Sequence, residues 1–571
     1  MAFPPFTVIV SLPESPQALA DATWSDLEPL YEALATAPVV DTRSWLAEWS
    51  KLEEIVDEAG TLAMIAYTCD TADPAKEAAN LRWTADIFPK AVEMQVRLAA
   101  RLVETGYAEP GLEPVLRRFL TDIEIFREEN VPLFSELETL TAAYQKIAGG
   151  LEVEWDGTRK TVPQLQPFLK DRDRTVRERA FRLGAKAYID QRDAMAELFD
   201  RMYLKRQQVA RNAGFGDFQA YVFKSKHRFD YTPADCASFH AAVQSTVVPA
   251  VERLMVQRRS RLAVETVRPW DTQVELDLSA PLKPFSDVPG LIEPAKRVFD
   301  ALDPELGAQF RRMADEGLLD LESRPGKAPG GYCTKLGWRG MPFIFMNAVG
   351  IPDDVGTLVH EAGHSFHDFA AHRLPYVWQR SATHEAAELA SMSMELLTAS
   401  HLARPTGYYA PDEARSARIE QLEDILVTLG HIASVDAFQA WIYTSGLGHA
   451  AAARDAAWLD IRARFDRGVD WTGLEAERVA RWYRQLHIFE YPFYYIEYGI
   501  AQLGALQIWR SSLSDASGTM QRYRQALALG GSASLPDIYR AAGARLVFDE
   551  SGMGELVTLV EEELARLRQS S

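Results

Sequence analysis

The segment Thr357 to Ala370 reads TLVHEAGHSFHDFA and contains His360-Glu361-Ala362-Gly363-His364 inside an apolar pattern of helical period. Two histidines four residues apart lie on one helix face about one turn apart, so both imidazoles can reach a single metal ion. The glutamate between them then lies beside the position that the ion leaves open, which is the arrangement of a zinc hydrolase. With 11 histidines in 571 residues, a chance His-Glu-x-x-His somewhere in the chain has a probability of roughly one to two per cent. A catalytic zinc takes three protein ligands and keeps one position for water, and a carboxylate from a neighbouring helix commonly supplies the third ligand. The next helical stretch, Thr383 to Ser400, carries Glu385, Glu388 and Glu395 on one stripe, and any of the three could face the metal.

A second group lies in Arg481 to Leu506, RWYRQLHIFEYPFYYIEYGIAQLGAL. Tyr491, Tyr495 and Tyr498 are spaced i, i+4, i+7, which puts three phenols on one face of a continuous helix with His487 one turn further back. An aromatic core stripe has the same spacing. His367 and His384 would overfill a four-coordinate zinc, and His372, His401, His431 and His449 have no partner spacing.

The elements that must carry these residues are mostly helical. Apolar side chains recur at three- and four-residue spacings from Trp45 to about Glu104, from Val115 to Ile147, and from Val355 onward. The turn-rich segment Gly149 to Thr161 predicts a short hairpin around Asp156-Gly157 and a lobe boundary near residue 150, giving an N-terminal helical lobe of 1–150 and a catalytic domain of 151–571. The run DRDRTVRER near residue 175 reads as a solvated helix face of mixed charge. Glu265 to Asp287 is proline-rich and irregular, a long connection on the surface or lining a cleft. The strand pair Gly330–Leu336 and Pro342–Asn347 places a small sheet directly ahead of the histidine helix.

Composition bounds the partners. Hydrophobic residues are 47% and charged residues 25% of the chain, as in an ordinary globular protein. With 61 basic and 81 acidic residues the net charge is −20, which disfavours nucleic acid and anionic membranes. No run of roughly 18 apolar residues suggests a membrane span, and Pro4, Pro5 and Pro13 interrupt any signal-like N-terminus. Cys69, Cys236 and Cys333 are odd in number and scattered, which fits a reducing, cytoplasmic location.

The histidine motif and the glutamate stripe together resemble the oligoendopeptidase F branch of the thimet oligopeptidase family of zinc metallopeptidases. The resemblance covers about the C-terminal two thirds of the chain, with a further echo at Arg211 to Phe223. In that branch the third zinc ligand lies in an Ala-Glu-Val-Ala-Ser pattern, and Ala387-Glu388-Leu389-Ala390-Ser391 is similar to it. The resemblance thus implies His360, His364 and Glu388 as ligands, with Glu388 24 residues after His364. It implies Glu361 as general base, and Glu385 as the acid accepting a ligand histidine's other N–H.

It further implies that His487 and the tyrosines contact substrate and transition state. His487, Tyr491, Tyr495 and Tyr498 fit with one residue fewer after the histidine, so either Tyr494 or Tyr495 holds the equivalent place. Pro342–Asn347 would be the edge strand on which peptide backbone adds, with Gly330 and Gly331 allowing close approach.

The fold implied is mainly α, a two-lobed helical metallopeptidase with a small β-sheet beside the active-site helix and a deep channel that admits oligopeptides. The function implied is a zinc endopeptidase acting on short peptides, in which zinc lowers the pKa of water toward about 7 and Glu361 takes its proton. Two rivals remain. One is a zinc carboxypeptidase on a similar helical scaffold, and the other is a scaffold protein that keeps the metal as a staple.

Overall fold

The computed structural model describes residues 11–276, 278 and 282–569, and helices make up most of them. Residues 1–10, with Pro4 and Pro5 of the expected N-terminus, lie outside the described residues, as do 277 and 279–281 of the proline-rich connection and 570–571. The chain divides into two compact units that are not consecutive in sequence. The first takes Met1–Phe126, Leu282–Pro411 and Gly504–Leu546, and the second Arg127–Pro281, Asp412–Leu503 and Val547–Ser571. This division differs from one at residue 150. The helix Val131–Gly149 clusters with the second unit, where it packs on Arg192–Asn212. Asn130, just ahead of it, donates to the Val209 carbonyl at 3.1 Å.

In the first unit, the helices of residues 24–125 close on a core in which Trp45, Trp49 and Trp83 are fully buried. Each large apolar side chain withdrawn from water contributes about 1.5–3 kcal/mol. The helix Thr42–Cys69 begins at Asp41, whose carboxylate accepts the Arg43 N–H; Asp73 caps Pro74–Leu81 in the same way.

The first unit also holds the sheet. The strand Met341–Ala348 pairs antiparallel with Tyr332–Leu336, Tyr332 opposite Phe345 and Leu336 opposite Met341. A third strand, Leu319–Glu322, lies parallel to Met341–Ala348 on its other side. The expectation that Pro342–Asn347 forms the edge is therefore corrected: that strand is central, with six consecutive buried residues, and Tyr332–Leu336 is an edge. The third strand escapes a sequence reading because four residues, LDLE, are too few for alternation to register. Gly330 has φ 96°, a backbone conformation that favours glycine by itself.

In the second unit, the hairpin Glu152–Trp155 and Thr158–Thr161 turns at Asp156 (φ 51°) and Gly157 (φ 76°), as an Asp-Gly pair predicts. The charged run is not wholly solvated. Arg177 is buried and donates to Asp271 at 2.8 Å, while Arg174 meets the same carboxylate at 2.7 Å, so the run anchors the irregular connection. Asp271, fully buried, supplies the counter-charge without which Arg177 could not be buried. Among the described residues one helix, Pro411–Thr444, is long and apolar enough to cross a membrane, but 67% of its apolar window is buried inside the protein, as in a core helix.

Candidate metal centre

The helix Pro352–Ala371 starts on a proline, and the Asp354 carboxylate accepts the N–H groups of Val349, Gly350 and Ile351 at 2.9, 2.8 and 2.9 Å. One acid thus ties the incoming loop to the helix and complements its positive end. Two turns further on, His360 and His364 share a face, their ring centroids 4.9 Å apart and their planes at 84°. The helix His384–Thr398 packs against this one. Their approach depends on Gly363: a Cβ there would sit 2.5 Å from the Ser391 Cα and 2.9 Å from the Ala390 carbonyl oxygen. Spacing alone makes Gly363 a filler of the motif. The signal lies in its type, since glycine inside a helix costs about 1 kcal/mol relative to alanine and needs a packing reason.

The close approach brings Glu388 to the histidines. One donor atom each from His360, His364 and Glu388 lie within 4.8 Å of one another. The His360 Nε2 to Glu388 Oε2 distance is 3.4 Å, close to the ~3.4 Å edge of a tetrahedron built on zinc bonds of about 2.0–2.2 Å. The Nδ1 of His360 lies 2.7 Å from the Glu395 Oε1, and His364 donates to the Ala387 carbonyl. Each ring therefore spends one nitrogen on a fixed partner and keeps the other for a metal. The Ser391 hydroxyl meets the Glu388 Oε2 at 3.3 Å. Two imidazoles and a carboxylate, so oriented, fit a zinc ion or a similar divalent cation.

At His360 the orienting acid is Glu395; the resemblance had assigned that kind of role to Glu385, without naming the histidine. Glu395 is two turns from Glu388 on nearly the same line of the helix, whereas Glu385 is turned about 60° away. Glu385 is buried and acts on Tyr539, whose phenol is pushed well up by burial and by the Glu385 charge. His367 is buried and stands outside the donor group.

Glu361 is buried between the motif helix and the sheet edge, where it accepts the Cys333 backbone N–H. Burial first, and then the Glu388 charge, push its carboxyl up to about 7, against the opposing pull of His360. Desolvation and the neighbouring His360 push His364 down to about 4. At His360 desolvation also lowers the pKa, but Glu388 and Glu395 outweigh it and the ring ends well above its ordinary value. The site thus concentrates negative charge where a cation would sit, with a carboxyl beside it whose pKa suits proton transfer.

His487 and the tyrosines belong to the second unit. The continuous helix expected there is broken: Leu486–Phe489 is one turn, and a new helix starts at Tyr495. Pro492 and Phe493 lie between, and Phe493 has φ 62°. A non-glycine residue in that region costs roughly 1–2 kcal/mol. The Gln439 side chain accepts the Phe493 N–H at 2.7 Å, and buried Arg228 donates to its carbonyl. Buried Glu497 accepts from the same arginine at 2.7 Å. The break still gathers the rings: His487 lies 4.9 Å from Tyr495, 5.7 Å from Tyr494, 6.0 Å from Tyr498 and 6.1 Å from Tyr491. Both candidate tyrosines therefore face the histidine, and Tyr491 is the exposed one.

Residues 168–556 match the model of peptidase family M3, and residues 20–125 match the peptidase M3 N-terminal domain. Oligopeptidase PepF of Bacillus subtilis (strain 168) is 23% identical over 419 residues, which cover 71% of this chain and 60% of that protein. The oligoendopeptidase F homolog of Borreliella burgdorferi is 21% identical over 74% of this chain and 71% of its own. Among solved structures, PZ peptidase A with an inhibitor superposes with a TM-score of 0.86 at 25% identity, over 95% of this chain and 97% of that one.

Proposed function

We propose that this chain, which belongs to peptidase family M3, is a zinc endopeptidase that hydrolyses internal bonds of short oligopeptides. The observation that carries the reading is the convergence of His360, His364 and Glu388, with Glu361 beside them at a pKa of about 7. A divalent ion held by those three residues would supply Lewis acidity toward a water molecule and a peptide carbonyl. Glu361 takes the proton of the attacking water and returns it to the leaving amine, a role that suits a carboxyl tuned near neutrality by burial. Glu395 and the Ala387 carbonyl hold the two imidazoles in the tautomers that leave a nitrogen free. The outer edge of Tyr332–Leu336 offers backbone groups to an extended peptide. His487, Tyr495 and Tyr498 serve as donors to the carbonyl oxygen as charge grows on it, a role that rests on the resemblance.

The test uses a peptide blocked at both ends. The purified protein with zinc is expected to cleave it internally, and Glu361→Gln to retain zinc while losing about 10²–10⁴-fold in kcat. Cleavage only of peptides with a free C-terminus would favour a carboxypeptidase. A zinc-bound, folded protein with no hydrolysis of any peptide would favour a scaffold.

A further inference from the structure

A chain of hydrogen bonds in the second unit runs from a residue that can only donate to two of the side chains that the proposed reaction needs as donors. The Arg462 Nη1 lies 3.1 Å from the His431 Nδ1. A guanidinium has no acceptor, so Nδ1 must accept and the His431 proton sits on Nε2. The His431 Nε2 is 3.0 Å from the Gln485 Oε1, which accepts it. That fixes the Gln485 amide, whose nitrogen then points the other way, 2.6 Å from the Tyr495 oxygen and 3.4 Å from the His487 Nδ1. Arg462 is held in turn by Asp466, which accepts its Nε at 2.8 Å and also meets Arg478 at 3.2 Å.

We propose that Arg462, His431 and Gln485 form a directional relay that obliges Tyr495 and His487 to present their own protons to bound peptide. This rests on the reading that these two residues contact the reacting carbonyl. With its oxygen accepting from Gln485, the Tyr495 hydroxyl has its hydrogen left to give. With its Nδ1 accepting from the same amide, His487 carries its proton on Nε2. Arg462, His431 and Gln485 are positioning residues. The neutral state of His431 agrees with the relay, since desolvation and the Arg462 and Arg481 charges push its pKa down to about 3. The Tyr495 phenol stands at about 12, raised by burial and partly relieved by the Gln485 donation, so the hydroxyl keeps its proton to give.

The test substitutes Gln485→Glu, a change of similar shape that replaces the donating amide by an acceptor. Tyr495 then turns its proton to the carboxylate. The expected results are a kcat about 10²-fold lower with KM little changed, and a smaller further loss when Gln485→Glu is added to Tyr495→Phe, because only the His487 share of the relay then remains. In protein labelled with ¹³Cζ-tyrosine, the resonance assigned to Tyr495 by its loss in Tyr495→Phe is expected to move in Gln485→Glu.

The relay is overturned if that resonance stays in place, or if the two substitutions multiply in kcat. Should Gln485→Glu fail to fold, His431→Leu and His431→Gln decide by the same readouts. The leucine is expected to lower kcat and shift the resonance, and the glutamine, which keeps a donor toward Gln485, to preserve both. Equal behaviour of the two overturns the relay. Full kcat in Tyr495→Phe would remove the catalytic role assigned to Tyr495, while the resonance would still judge the relay.

Discussion

His360, His364 and Glu388 are set by helical spacing and one close approach at Gly363, whereas His487, Tyr494, Tyr495 and Tyr498 are set by a turn with a strained residue at its centre. In the first group the positions follow from a period of 3.6 residues, so the same residues would converge on any two helices packed at that glycine. In the second, Phe493 stands at φ 62° because Gln439 and Arg228 hold both ends of its peptide unit, and those residues lie far away in sequence. A motif built on periodicity survives in sequence as spacing. A cluster built on a break survives only as composition.

The contrast is broken most visibly at Glu388. Glu388→Ala is expected to abolish stoichiometric zinc and reduce hydrolysis to background, measured by metal analysis alongside a peptide assay; retained zinc would remove the acid from the ligand set. Glu395→Ala is expected to weaken zinc by about 10–100-fold, and Glu385→Ala by clearly less. A competition titration with a chelator ranks the two, and the reverse order would restore the role to Glu385.

Gly363→Ala and Gln439→Leu contrast the two means of positioning. The added methyl must push the two helices apart, at about 1–3 kcal/mol, so zinc affinity and thermal stability are expected to fall together. Gln439→Leu leaves the buried Phe493 N–H without its acceptor, again at about 1–3 kcal/mol, but here kcat is expected to fall with zinc affinity unchanged. Calorimetry with zinc titration separates the outcomes.

The smallest effect is in the pH profile. Glu361 works as a base only when ionised, and its carboxyl stands at about 7 through burial, so activity rises with pH through an acid limb. A neighbouring divalent cation pulls that limb downward, below pH ~7. Tyr495, at about 12, keeps its proton across the working range and is expected to add no alkaline limb below pH ~10. An alkaline limb that disappears in Tyr495→Phe would contradict this assignment.

The histidine helix, its glutamate base and the acid stripe were legible because helix geometry converts i, i+4 into a shared face. The two short strands ahead of them were legible from aromatic and branched residues between glycines. The roles of Gly363, Asp354 and Glu395 were not, since each acts on a partner that periodicity does not name: Ser391 across a helix interface, three loop amides, and the far nitrogen of His360. Arg177 looked solvated until Asp271, 94 residues on, was placed against it.

The amino-acid order alone determined that two imidazoles share a helix face with a carboxylate between them, because local backbone geometry is enough to put them there. Only tertiary structure decided which acid holds the far nitrogen of His360, which strand forms the sheet edge, and which way the Gln485 amide points toward Tyr495. Those choices turn on contacts between residues distant in the chain, where a few ångströms and the direction of one hydrogen bond outweigh any local preference.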